Sequence, residues 1–121
     1  MTYDDYNDFC SKLAATSYVM QWGNAHVWKV GGKVFAIGGW EKLEQPAFTF
    51  KASELNFNVL KEQPGFRPAP YMASRGMLWI QQYQVNKNEI ETLQYYLTES
   101  HRLVSLGLTK KRQKELGLNQ H

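Results

Sequence analysis

The stretch HVWKVGGKVFAIGG, residues 26–39, limits the fold more than any other part of the chain. β-Branched and aromatic residues flank Gly31-Gly32, and two consecutive glycines supply the positive φ angles that a two-residue hairpin turn needs. The pattern predicts strands at about 26–30 and 33–38, with Lys29 and Lys33 exposed beside the turn. The glycines do not form a phosphate loop, because no G-x-x-x-x-G-K-[ST] is present and no helix follows directly. Gly38-Gly39 ends the second strand, with room for close approach of another backbone.

The remaining elements arrange themselves around this hairpin. Thr2 and Asp5 form a capping-box pattern, and Tyr6, Phe9, Cys10 and Leu13 then recur at helical spacing, which predicts an amphipathic helix over about residues 2–15. Residues 16–24, TSYVMQWGN, read as a loop, with Trp22 either a core lid or a surface aromatic. AFTFKA, residues 47–52, predicts a third strand with Phe48 and Phe50 on one face and Lys51 on the other. Ser53 caps a second helix with Leu55, Val59 and Leu60 inward, and Pro64-Gly65 stops it.

In GFRPAPYMASRGMLWIQQ, residues 65–82, Pro68 and Pro70 place the first strand at a sheet edge, where a missing N–H does least harm. Asn86 and Glu89 cap a long third helix, with Ile90, Leu93, Tyr96 and Leu97 as its apolar stripe and Gly107 as its end. Thr109 caps a last short helix, KKRQKELGL. The order is helix, three strands, helix, one or two strands, helix and short helix. That is an α+β pattern, an antiparallel sheet with helices on one face. No repeat or linker interrupts the 121 residues, so a single domain over 1–121 is expected, with a basic C-terminal segment at 108–121.

Catalytic and metal chemistry find little support. Cys10 is the only cysteine and lies on an apolar helix face, where burial raises a thiol's pKa, so neither a disulfide, a cysteine-based zinc site nor a nucleophile is expected. His26, His101 and His121 are too dispersed for a local ligand motif, and His26 reads as a half-exposed strand residue. Asp4, Asp5 and Asp8 favour a helix N-terminus, and Glu41 and Glu44 fall in a loop. No enzyme, cofactor or metal is expected. The start of the chain lacks a basic-then-apolar leader and no run of apolar residues is long enough to span a membrane, so a cytoplasmic protein is expected.

Charge is more informative when split by position. Residues 1–99 carry nine Lys or Arg against ten Asp or Glu, whereas residues 100–121 carry five against one. Basic residues also fall beside the expected hairpin tips: Lys29 and Lys33 at the first, Lys51 on the third strand, Arg67 and Arg75 near the second. Cations on projecting tips suit phosphate contacts, and the same residues also suit a solvated sheet rim.

Several segments together resemble the YjbR-like (MmcQ/YjbR) family of small bacterial proteins: HVWKVGGKVFA, FTFKAS, QPGFRPAPYMA, LWI and SHRLVSLGLTKKRQKELG. The resemblance implies a two-layer fold related to secretion chaperones, with helix, three strands, helix, two strands and helix. It implies strands at about Arg67–Met72 and Leu78–Gln82. It also implies a "double wing" DNA-binding module in which strand-and-loop projections approach a duplex. On that likeness Lys29, Lys33, Lys51, Lys110 and Lys111 match the family's basic positions, and together with Arg67, Arg75 and Arg112 of the hairpin and tail they are the expected DNA-contacting residues, with Tyr71 and Trp79 in the core. Relatives often carry a basic run before the Trp of the second hairpin, where this chain has Ala73-Ser74-Arg75-Gly76-Met77 with one charge. The resulting expectation is a monomer that binds double-stranded DNA weakly, losing roughly ten- to a hundredfold in affinity between 50 and 200 mM salt if it neutralises three or four phosphates. The alternative partner is another protein, engaged through a chaperone-like fold and through Trp22 and Trp40 near loops.

Overall fold

In a computed structural model of the chain, residues 1–40, 45–72 and 75–120 are described. Helix α1 (Tyr3–Ser11) is followed by strands β1 (Thr16–Gln21), β2 (Ala25–Val30), β3 (Lys33–Gly38) and β4 (Phe48–Lys51). Helix α2 (Glu54–Leu60), strands β5 (Phe66–Pro68) and β6 (Trp79–Gln82), and helices α3 (Ile90–Leu106) and α4 (Lys110–Leu116) complete the chain. The six strands form one antiparallel sheet in the order β1-β2-β3-β4-β6-β5. The fold is the expected α+β type.

Local chemistry sets most boundaries. Thr2 and Asp5 make the reciprocal cap of α1, with Thr2 N donating to Asp5 Oδ2 at 3.2 Å and Asp5 N donating to Thr2 Oγ1 at 3.1 Å. Ser53 and Thr109 accept from the third-residue amides of α2 and α4, each at 3.1 Å. Gly31 and Gly32 have φ of 56° and 87°, and Val30 pairs with Lys33 across them, which is the two-residue turn their sequence demands. Strand β5 ends the sheet, so Pro68 lies on an edge strand as its missing amide requires.

Three expectations need correction, the first being the strand expected at about Arg67–Met72, which is only the short β5 and ends at Pro68. Residues 16–21 are a strand, not a loop, and the sheet has four strands before α2 rather than three. Tyr18, Val19 and Met20 stand together there without the period-two alternation of a half-buried strand, on an edge strand that is exposed along much of its length. In α2, Leu55 and Val59 point outward, 74% and 51% exposed, and the helix instead packs through Leu60 and Phe57.

All four helices cover one face of the sheet. Tyr6 and Cys10 of α1, Leu60 of α2, Leu93, Leu97 and Val104 of α3, and Leu118 after α4 share a core with Trp28, Val30, Phe35, Phe48, Phe50 and Ile80. Gly38 admits α1 closely, since a Cβ there would fall 2.8 Å from Tyr6 Cε2, so the close approach is by a side chain rather than a backbone. No helix among the described residues is long and apolar enough to cross a membrane.

The centre of this layer is fixed by Ser100. The β2–β3 register shifts at Trp28/Lys29, leaving Phe35 as an extra residue on β3, and the β3–β4 pairing stops at Ala36–Phe50. At that break the fully buried Ser100 hydroxyl donates to Phe35 O at 2.6 Å and accepts from Lys51 N at 2.8 Å. One hydroxyl thus satisfies a donor and an acceptor that the bulge leaves without each other. Replacing Ser100 with Ala is expected to strand both groups and lower stability by about 3 kcal/mol, measured as a fall in the urea midpoint at an unchanged slope.

Candidate nucleic-acid interface

The six strands contain four charged residues, Lys29, Lys33, Lys51 and Arg67, and all four are basic. Period-two alternation decides where they point. Trp28 and Val30 face the helix layer, as do Phe50 and Ala52, so Lys29 and Lys51 face the opposite, open side. Arg67 follows the core residue Phe66 and also lies on the open side, where its Nε donates to Gln81 Oε1 at 2.8 Å. Its guanidinium sits 5.5 Å from the centre of the Tyr83 ring. Lys33 differs: its Nζ donates at 3.1 Å to Gly107 O, at the C-terminal end of α3, on the helix side. Every Asp and Glu among the described residues lies in a helix or in a turn that adjoins one.

The open side is not bare. Ala25, Val27 and Ile37 are fully buried there beneath Val19, Val34, Trp40 and Met72. Beside this second cluster runs a groove of about 330 Å³ lined by Trp22, Trp40, Tyr71, Met72, Arg75 and Met77. The Trp22 and Trp40 rings lie 5.5 Å apart and the Trp40 and Tyr71 rings 5.7 Å apart, so three aromatic rings form a row. Tyr71 is 68% exposed, which overturns its expected place in the core, whereas Trp79 is buried as expected. Trp22 is the surface aromatic of the two readings, 49% exposed. Arg75 is also exposed, and Ala73 and Ser74, the rest of the expected turn, lie outside the described residues.

The basic tail occupies a different place. Leu108 and Leu116 flank the Gly31 turn so closely that a Cβ on Gly31 would lie 2.6 Å from Leu108 Cδ1. The tip of the first hairpin is therefore seated against the C-terminal segment, not free as a projecting wing. Lys110, Lys111 and Arg112 begin α4 on the helix side, with Arg112 Nη1 3.4 Å from Glu115 Oε2. The eight basic residues singled out from the sequence thus separate into an open-face group, Lys29, Lys51, Arg67 and Arg75, and a helix-side group, Lys33, Lys110, Lys111 and Arg112. The sequence signs of the open face were the lack of any carboxylate in a strand and Trp22 beside a Gly-Asn turn. Neither the sharing of a face by residues far apart in the chain nor the meeting of Trp22 with Trp40 and Tyr71 is visible in one dimension.

Other polar groups have structural partners. Tyr6 Oη donates to His26 O at 2.9 Å, and the His26 ring meets Tyr18 Oη at 2.8 Å. Among the described residues no group of three or more His, Cys, Asp and Glu could hold a metal. Glu41, Glu44 and His121 lie outside the described residues. Burial pushes the Cys10 thiol up from 9.0 to about 12 and the Tyr6 hydroxyl well above its ordinary value. The folded state therefore holds protons that the unfolded chain gives up, so stability is expected to fall as the pH rises from about 9 toward about 12. Urea titrations across that window test the sign.

These features define a small α+β domain with a helix layer on one side of an antiparallel sheet and an aromatic, basic surface on the other. The chain belongs to the YjbR family, whose model matches residues 11–103. Among solved structures, a Deinococcus radiodurans protein with a DUF419 domain aligns with a TM-score of 0.82 at 22% identity, over 97% of this chain and 88% of that one. A Pseudomonas syringae protein aligns with a TM-score of 0.60 at 19% identity, over 83% of this chain and 99% of that one. At these identities the two structures support the fold alone. A search of curated proteins finds no match.

Proposed function

We propose that the protein is a non-catalytic nucleic-acid-binding domain, with DNA as its partner, and that the open face of the sheet makes the contact. The observation that carries this reading is the sorting of charge across the sheet. All charged strand residues are basic, three of them face the open side, and the described carboxylates sit with the helices. A polyanion approaching the open face meets Lys29, Lys51, Arg67 and Arg75 with no neighbouring carboxylate among the described strand residues to repel it.

Four phosphate contacts imply binding that weakens on the order of a hundredfold between 50 and 200 mM salt. Such contacts fix orientation without reading sequence. Lys29→Ala and Lys51→Ala are each expected to reduce the slope of log affinity against log salt by about one. Lys110→Ala with Lys111→Ala should leave it unchanged, because those residues belong to the helix-side group. Fluorescence anisotropy with labelled DNA at low salt measures all of these, and absence of binding by the unaltered protein rejects the reading.

A further inference from the structure

The aromatic row on the open face has no role in the packing of the helix-side core, and its geometry suits something flat. Trp22, Trp40 and Tyr71 present successive rings at 5.5 and 5.7 Å spacing along a groove of about 330 Å³. Trp22 has φ of 49° and Tyr71 has φ of 68°, left-handed conformations that are costly for bulky residues. Both rings are thus set by backbone that the surrounding structure holds in place, and both are substantially exposed. Among the described residues lining the groove, Arg75 is the only charged one. Lys29 and Lys51 lie on the same side of the sheet.

The geometry points to single-stranded nucleic acid as the occupant of this groove, with bases stacked on the Trp22–Trp40–Tyr71 row and the phosphate backbone held by Arg75 and the open-face lysines. This rests on the nucleic-acid reading above and makes it narrower. A duplex hides the faces of its bases inside the stack, so exposed aromatic rings gain little from it, whereas every unpaired base offers a π-face. Charge separates this occupant from a proline-rich peptide, which also favours aromatic-lined grooves. The described lining carries a cation and no carboxylate, and the face around it is basic, which matches a polyanion.

The probes are a labelled oligothymidylate of about twelve nucleotides, within the range one small domain covers, and a duplex of the same length. The single strand is expected to bind about tenfold more tightly than the duplex and to quench tryptophan fluorescence. Trp22→Ala should weaken single-strand binding about tenfold with duplex binding unchanged, and Trp22→Phe should restore most of it. Trp22 is half-exposed and outside both buried clusters, so the variant should fold, and circular dichroism checks that it does. Arg75→Ala supplies a second variant outside the core and should lower the salt slope by about one. Equal binding of duplex and single strand with no effect of Trp22→Ala would overturn the groove assignment and leave the nucleic-acid reading standing. Absence of binding to either probe overturns both. Quenching by a proline-rich peptide but not by the oligonucleotide would give the groove to a protein partner and overturn the proposal.

Discussion

A single buried hydroxyl holds the two layers of this protein in register. Ser100 bridges Phe35 O and Lys51 N at the point where the β3–β4 ladder is interrupted. Without that bridge the bulge would leave unsatisfied backbone groups in the core, a cost that proteins avoid almost without exception. With it, the middle of α3 is tied to the centre of the sheet, and the bulge turns Phe35 as well as Ala36 toward the helices. Val34 and Ile37 then fall on the other side, beneath the cluster that includes Trp40 and Met72. The irregularity in the sheet therefore fixes both what the helices cover and what they leave open.

The division of labour between the two faces follows from that arrangement. The helix layer buries the large aromatics of β2, β3 and β4 and carries the described acidic residues, where Asp4 and Asp5 lie in the first turn of α1 and Glu99 pairs with Arg102 at 2.8 Å. Such exposed pairs add little to stability, but they keep negative charge away from the sheet. The open face retains isolated cations, a small apolar cluster and exposed rings. The exposed rings on it contribute little to the stability of a lone domain, which is the physical reason to look for their use in binding.

Much of the architecture was legible because it is written in local chemistry. Gly31-Gly32, the Thr2/Asp5 cap, Asn86 and Glu89 at the 3-10 turn leading into α3, Ser53, Thr109 and the edge-strand Pro68 each act over a few residues, and each appears where its chemistry requires. What was not legible depends on neighbours remote in sequence. Strand β1 is an edge strand exposed along much of its length and shows no period-two apolar pattern, and Leu55 and Val59 fall on a solvent-facing side of a helix only two turns long. Tyr71 falls inside the strand expected at about Arg67–Met72 and was expected in the core, yet its backbone is left-handed and its ring is exposed. The candidate interface suffered most, since its cations come from β2, β4, β5 and the β5–β6 connection, and only the sheet brings them together.

The seat of the C-terminal segment on the first hairpin has a consequence for how the domain is assembled. Leu108, Leu116 and Leu118 reach the core and the Gly31 turn across more than seventy intervening residues. Closing a contact of such long sequence separation costs more loop entropy than closing a two-residue turn. The Gly31 turn is local, whereas its cover, Leu108 and Leu116, comes from the far side of the intervening sheet and helices. A local turn and a distant segment meet at one glycine, whose missing side chain is the space that lets them touch.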